Sequence, residues 1–175
     1  MSLALIGYRG TGKTTVARLL AEGLSWGWSD ADVELESRAG KTIAMIFAED
    51  GEAAFRDLES VVIDDLSKLP ERVIATGGGV VMREQNRRVI SRIEHRVWLK
   101  ADAETIHARL ATDAATAGQR PDLTASGGLG EIRKLLDQRR PFYQECATLE
   151  VETQGRTPAA VAAEILAQLD DLGRT

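Results

Sequence analysis

The chain has 175 residues, of which 43% are hydrophobic and 28% are charged, so it is long enough to bury the core of one domain and is not disordered in composition. Its net charge of -5 and pI of about 5.2 argue against nucleic acid as the main partner, because nucleic-acid binders usually present a basic face. No apolar run approaches the roughly 18 residues of a membrane span, and no basic region followed by a long apolar core opens the chain. We predict a single domain over residues 1–175.

Cysteine usage points to a reducing compartment. The one cysteine, Cys146, excludes an internal disulfide and fits a cytoplasmic protein. With His95 and His107 as the only histidines, a catalytic thiol has few partners, and we interpret Cys146 as a small, partly buried hydrophobic residue.

The first third of the chain predicts a strand, a glycine-rich loop and helices. Residues 3–6 form a short apolar run typical of a buried strand, and residues 26–29 predict a weaker one. After Lys13, apolar residues recur at helical spacing, at Val16, Leu19, Leu20 and Leu24. Residues 33–69 are predicted to be mostly helical, with interruptions at Gly40 and Gly51 and an end at Pro70.

The remaining two thirds alternate between the two patterns. Strands are predicted at 72–76, 96–99 and 149–152, the last near a sheet edge, and helices at 83–92, 102–111, 130–140 and from Val161 to Leu172. Such alternation predicts an α/β protein with three α/β/α layers and a five-stranded parallel sheet. Residues 112–129 combine small residues with few apolar anchors, which favours a mobile lid.

The stretch GYRGTGKTT, residues 7–15, matches the phosphate-loop pattern G-x-x-x-x-G-K-[ST] between a strand and a helix. Its glycines let backbone N–H groups turn inward, and the helix N-terminus favours an anion. Lys13 is placed to reach the β- and γ-phosphates and Thr14 to bind Mg²⁺. We therefore predict ATP and Mg²⁺ as ligands, with nucleotide contacts from Gly10, Thr11, Gly12, Lys13, Thr14 and Thr15. No guanine-selecting N-K-x-D segment is present and the chain is too short for a motor ATPase, which leaves mainly small-molecule kinases.

Two carboxylates, Asp30 and Asp32, follow the second predicted strand. A spacing of two places both on one face of an extended segment, at the sheet edge beside the phosphate loop. One is a candidate for holding Mg²⁺ and the other for accepting a proton or hydrogen bond from an alcohol. The alternative is that both simply occupy a solvated helix N-terminus.

Arg56 and Glu59 lie three residues apart on a predicted helix, where an arginine held by a glutamate can take a carboxylate bidentately. The alternative is an ordinary surface pair. The run Gly77–Gly79 ends a predicted buried strand, so it is either a platform for close ligand approach or a plain turn.

Two further arginines are candidates for anion contacts. Arg120 lies in the predicted lid, where it is suited to neutralise charge on a transferred phosphoryl group, or it is a solvated loop residue. Arg139 precedes Pro141 at the predicted end of a helix and is either a second carboxylate partner or a helix C-terminal cation.

Taken in order, these motifs resemble the shikimate kinase family over nearly the whole chain. They are GYRGTGKTT, SDADVELE, GKTIAMIFAEDGEAAFRDLE, ATGGGVV, QRPDL and QRRPFYQECATLEV. The third is the most specific, because ATP binding in general does not require it. The resemblance implies transfer of the γ-phosphoryl of Mg-ATP to the 3-hydroxyl of shikimate by a monomer.

The resemblance also implies residue roles. Asp30 corresponds to the aspartate near Mg²⁺, and Asp32 to the residue that contacts the shikimate hydroxyls and acts as base or orienting group. Arg56 and Arg139 correspond to the carboxylate-binding arginines, Gly77, Gly78 and Gly79 to the glycines that contact shikimate, and Arg120 to the lid arginine. Arg109 and Arg156 correspond to residues that flank adenine.

Departures from the family pattern lie away from the expected shikimate contacts. Asp122 replaces an apolar lid residue, and Ala44-Met45 replaces a more polar pair. The nearest alternative is another small-molecule kinase such as a gluconate kinase, which should lack the F-R-x-x-E and R-x-P-x-Y arginines. A non-catalytic ATP-binding module is the alternative from another class.

Overall fold

A computed structural model describes residues 1–112 and 128–173 of the chain. The strands are β1 (Ser2–Ile6), β2 (Gly27–Asp30), β3 (Arg72–Ala75), β4 (His95–Lys100) and β5 (Leu149–Glu152). The helices are α1 (Lys13–Leu24), α2 (Ala31–Ala39), α3 (Ile43–Glu49), α4 (Gly51–Ser67), α5 (Glu84–Ile90), α6 (Ala103–Thr112), α7 (Gly128–Cys146) and α8 (Pro158–Gly173), with a short 3₁₀ turn at Val80–Met82.

The five strands form one sheet in the order β2-β3-β1-β4-β5, and every neighbouring pair is parallel. Strand β1 lies at the centre, where Leu5 aligns with Ala75 of β3 on one side and with Val97 of β4 on the other. The predicted parallel five-stranded sheet is therefore confirmed, and β5 is an edge strand as its alternating pattern indicated.

Helices cover both faces of the sheet, because side chains of a strand alternate between the faces. Leu3 and Leu5 of β1 pack with α1 and α8 on one face. Ala4 and Ile6 pack on the other face with a larger cluster drawn from α2, α3, α4, α5 and α7. The three-layer arrangement is confirmed, and it brings the carboxyl ends of β1, β2 and β3 to one rim.

Helix α7 differs from its prediction at both ends. It begins at Gly128 and continues through Pro141 to Cys146, so the predicted helix 130–140 was too short and the predicted lid 112–129 overlaps α6 and α7 at its ends. A proline usually ends a helix, but Tyr143 and Cys146 are 0% and 3% exposed, and burying them holds the last turn in place. Arg139 is thus inside a helix, and its interpretation as a C-terminal cation is wrong.

The residues from 113 to 127, including Arg120 and Asp122, lie outside the described residues, and the mobile lid stays a prediction. Within the described ranges no helix is long and apolar enough to cross a bilayer. Cys146 is buried, in agreement with its interpretation as a hydrophobic residue.

Candidate active site

The phosphate loop leaves β1 at Gly7 and enters α1 at Lys13. Gly7 has a φ of 139°, and a Cβ there would lie 2.5 Å from the Leu99 carbonyl oxygen, so the loop's first position requires glycine. Gly12 precedes α1 in the left-handed region. The Lys13 ammonium donates to the Gly7 and Tyr8 carbonyl oxygens, both at 2.8 Å, so the loop itself aims this side chain.

A cleft of about 510 Å³ opens at the carboxyl edge of the sheet. It is lined by loop and helix residues that follow β1, β2 and β3, together with Arg109 of α6: Arg9, Gly10, Gly12, Lys13, Thr14, Thr15, Asp30, Asp32, Val33, Glu36, Ile43, Thr76 and Gly78. Most of the predicted phosphate contacts therefore share one cavity with both aspartates and the middle glycine. Sequence reasoning assigned no role to Arg9, Glu36 and Thr76, although each lies inside a quoted motif, because the motif patterns do not specify their side chains.

Asp30 joins the phosphate loop to α2. Its Oδ2 accepts a 2.6 Å hydrogen bond from the Thr14 hydroxyl, and its Oδ1 accepts from the N–H groups of Asp32 and Val33 at 2.9 and 3.4 Å. Asp30 is thus the N-cap of α2 and Asp32 belongs to its first turn, so the predicted extended pair is wrong. Asp30 therefore caps α2 and contacts the phosphate loop at the same time, so the two interpretations of this residue do not exclude each other.

Arg56 and Glu59 form a buried pair, so the surface alternative is wrong. They are 8% and 4% exposed, and Arg56 Nη1 lies 2.8 Å from Glu59 Oε2. The guanidinium lies against the glycine run, since a Cβ on Gly79 would come within 2.6 Å of Arg56 Nη1. A side chain at position 79 would therefore displace the guanidinium from its present position.

Arg139 reaches the same run from α7. It is 6% exposed and donates from Nη1 to the Gly78 carbonyl oxygen at 3.1 Å. Among the described residues its Nε is buried without a hydrogen-bond partner. The Tyr143 hydroxyl donates to the same Gly78 oxygen at 2.5 Å, and burial raises the pKa of Tyr143, so it stays a neutral donor.

Neither arginine is among the cleft-lining residues, but Arg139 donates to Gly78 at the cleft wall and Arg56 lies against the adjoining Gly79. Gly77 begins the run, its carbonyl accepting from the Val80 N–H at 3.1 Å. The role of Tyr143 was missed from sequence, although its position one helical turn after Arg139 indicates a shared face.

A second cavity of about 180 Å³ adjoins the loop on the other side and is lined by Thr11, Gly12, Arg109 and Arg156, among others. Arg109 donates to the Thr153 carbonyl at 2.7 Å and to the Gly10 carbonyl at 3.3 Å. Arg156 pairs with Glu164. The structure thus places the two predicted adenine-flanking arginines on one small cavity.

Comparison with known proteins agrees with this architecture. The family model described as shikimate kinase matches residues 9–170. A shikimate kinase from Rhodopirellula baltica is 43% identical, with 94% of this chain and 88% of the relative covered, and one from Symbiobacterium thermophilum is 40% identical over 99% and 98%.

Among solved structures, the shikimate kinase from Acinetobacter baumannii in complex with shikimate superposes with a TM-score of 0.91 at 34% identity, covering 97% of this chain and 93% of that one. Both the sequence match and the structural match span nearly the full chain. The chain belongs to the shikimate kinase family.

Proposed function

We propose that the chain transfers the γ-phosphoryl group of ATP to the 3-hydroxyl of shikimate, giving shikimate 3-phosphate and ADP. The proposal rests on one observation: the phosphate loop and two buried arginines all lie against the same glycine run. The loop is so close that a Cβ added to Gly78 would lie 3.0 Å from the backbone nitrogen of Arg9. Donor and acceptor sites therefore adjoin through backbone contact.

For the donor, we assign the triphosphate to the loop residues 10–15 and to Lys13. A helix N-terminus and inward N–H groups favour the phosphates, and the Lys13 ammonium supplies a positive charge at 8% exposure, where solvent screening is weak. We place the adenine ring in the smaller cavity between Arg109 and Arg156.

For the metal, we assign Mg²⁺ to Thr14 and Asp30. Their oxygens lie 2.6 Å apart at the cleft wall, and both are hard ligands of the kind Mg²⁺ takes alongside substrate phosphates. In the described parts of the chain no three carboxylate, histidine or cysteine side chains cluster as a protein cage, which matches a metal held mainly by nucleotide and water. When bound, Mg²⁺ neutralises charge on the phosphates.

For the acceptor, we assign the shikimate carboxylate to Arg56 and Arg139. Both arginines are almost fully buried, and a guanidinium shielded from solvent binds a carboxylate strongly through two parallel hydrogen bonds. Within residues 1–112 and 128–173 the Nε of Arg139 has no hydrogen-bond partner, so we assign it as a further donor to that anion. Gly77–Gly79 form the platform between them, and Asp32, in the cleft wall, orients the attacking hydroxyl or accepts its proton.

Phosphoryl transfer needs position and charge neutralisation more than covalent help from the protein. We assign these tasks to Lys13, Asp32 and Arg120; the last lies outside the described residues and is assigned by family correspondence alone. We further propose that the enzyme is a monomer and that it is cytoplasmic. Light scattering of the purified protein tests the first statement, and cell fractionation tests the second.

The deciding experiment is an acceptor panel with coupled ADP detection. Purified protein with Mg-ATP should release ADP with shikimate well above background, and not with gluconate. ADP release with gluconate alone would favour the rival kinase. ATP binding without turnover on any acceptor would favour a non-catalytic module.

A further inference from the structure

Tyr8 occupies a position that the phosphate-loop pattern leaves open, yet it is 2% exposed. Its side chain belongs to a small apolar cluster with Ala103 and Ile106 of α6 and Ile132 of α7. A residue of a nucleotide loop is therefore packed into the protein, on the side from which α7 brings Arg139.

The backbone of Tyr8 is fixed by the donor site. Its carbonyl oxygen accepts from the Lys13 ammonium and from the Thr11 hydroxyl, each at 2.8 Å. The position of the Tyr8 Cα, and hence of its ring, follows the conformation of the phosphate loop.

The ring of Tyr8 meets the acceptor site. The Arg139 guanidinium carbon lies 5.3 Å from the ring centroid, within the range in which the negative face of an aromatic ring attracts a cation. Burial raises the pKa of Tyr8, against a lowering by the charges of Arg9 and Arg139, so the contact is between a neutral ring and a cation. Arg139 also donates a hydrogen bond to the Gly78 carbonyl oxygen at 3.1 Å.

We propose that Tyr8 is a positioning residue of the phosphoryl acceptor: its ring holds the Arg139 guanidinium in the orientation that receives the shikimate carboxylate. The inference rests on the proposed function and deepens it. It assigns to a phosphate-loop residue a task in carboxylate recognition, carried by the ring and not by the hydroxyl group.

The test compares Tyr8→Phe and Tyr8→Leu in steady-state kinetics with both substrates varied. Tyr8→Phe keeps the ring, so the KM for shikimate should stay within about twofold of wild type. Tyr8→Leu removes the ring and should raise that KM about 3- to 30-fold, while the KM for ATP changes less than about threefold. If Tyr8→Leu does not fold, Tyr8→Met replaces it, because methionine fills irregular space.

A matched control variant and a second acceptor distinguish a positioning role of Tyr8 from a purely structural one. The Phe142 ring also lies against an arginine, with the Arg87 guanidinium carbon 4.4 Å from the ring centroid. Phe142→Leu removes this ring and should leave the KM for shikimate unchanged. A shikimate carboxamide lacks the negative charge that Arg139 binds. On this acceptor the Tyr8→Leu penalty in kcat/KM should disappear, whereas a loosened fold penalises both acceptors alike.

Three outcomes overturn the proposal: an equal penalty on the carboxamide, an equal rise in the KM for ATP, or a Tyr8→Phe variant as impaired as Tyr8→Leu. Wild-type activity separates the two levels of inference. Wild-type protein inactive on shikimate overturns the proposed function together with the role of Tyr8. An active wild type with an unimpaired Tyr8→Leu variant overturns the role of Tyr8 alone.

Discussion

The proposed site has a donor half, residues 7–15, and an acceptor half, Arg56 with Gly77–Gly79 and Arg139, and the two are built in different ways. The donor half is one continuous loop whose backbone and a single lysine point into the cleft. The acceptor half takes side chains from α4 and α7 and a glycine run after β3, and each arginine is more than nine-tenths buried.

This difference separates what is general from what is selective. A loop of inward N–H groups recognises phosphate, which many substrates share. In the proposed function, two buried guanidiniums beside the glycine run bind a carboxylate at a fixed distance from the reactive hydroxyl, because a buried charge left unpaired is costly. Selectivity for the acceptor therefore depends on tertiary packing, and substitutions in the two halves should produce different kinetic effects.

The largest effect is expected in the donor half. Lys13→Met removes the ammonium from the phosphates and should lower kcat by about 1,000-fold, measured by coupled ADP release. Lys68→Met, at an exposed lysine paired with Asp64, serves as the control and should retain full activity. Circular dichroism should show both variants folded, and substantial activity in Lys13→Met would remove the loop from the mechanism.

In the acceptor half, Arg139→Ala should raise the KM for shikimate by about 100-fold, because it deletes a buried partner of the carboxylate. The KM for ATP should change less than about threefold. The neighbouring Arg140, whose side chain is 60% exposed beside Asp137, supplies the control Arg140→Ala. Equal rises in both KM values would mean that the halves are not separable.

Asp30 contacts Thr14 of the donor half and caps α2, and Asp30→Asn tests its charge apart from its capping role. Asparagine caps a helix as well as aspartate, so the melting temperature should hardly change. The Mg²⁺ concentration for half-maximal rate should rise about tenfold, because an anionic ligand is lost. Asp102→Asn, at an aspartate that accepts from the Thr105 N–H at 2.7 Å, should leave the Mg²⁺ dependence unchanged.

At Cys146, at the end of α7, the expected effect is on thiol reactivity and not on catalysis. Burial raises the pKa of its thiol to about 11, and the side chain is 3% exposed. In mildly alkaline buffer a disulfide reagent should modify it about 100-fold more slowly in native protein than in denatured protein. Rapid labelling would mean that the turn carrying Cys146 opens readily and that the acceptor half is less rigid than its packing indicates.

The donor half was predictable because its signal is local. Strand β1, the loop and the start of α1 lie within one continuous stretch, and each obeys a short-range rule. The sheet was predictable for a similar reason, since its buried strands are apolar runs separated by helical patterns. Asp32 was wrongly placed on an extended segment, because β2 ends one residue before α2 begins, a boundary that its spacing from Asp30 does not reveal.

For the acceptor half, the resemblance identified the residues but the sequence did not predict their geometry. The resemblance named Arg56 and Arg139, but the burial of the Arg56–Glu59 pair depends on helix packing. The bond from Tyr143 to Gly78 joins residues 65 apart in the chain. No local pattern encodes such a contact, and the same holds for the Tyr8 ring beneath Arg139.

Pro141, inside α7, has a consequence for protein engineering. A proline in a helix interior removes one backbone hydrogen bond and costs about 3 kcal/mol, so Pro141 is an obvious position at which to seek thermostability. It lies between Arg139 and Tyr143, the two residues that hold the Gly78 carbonyl. A more regular helix would shift Arg139 relative to Tyr143. A substitution of Pro141 that raises the melting temperature should therefore lower the selectivity for the acceptor.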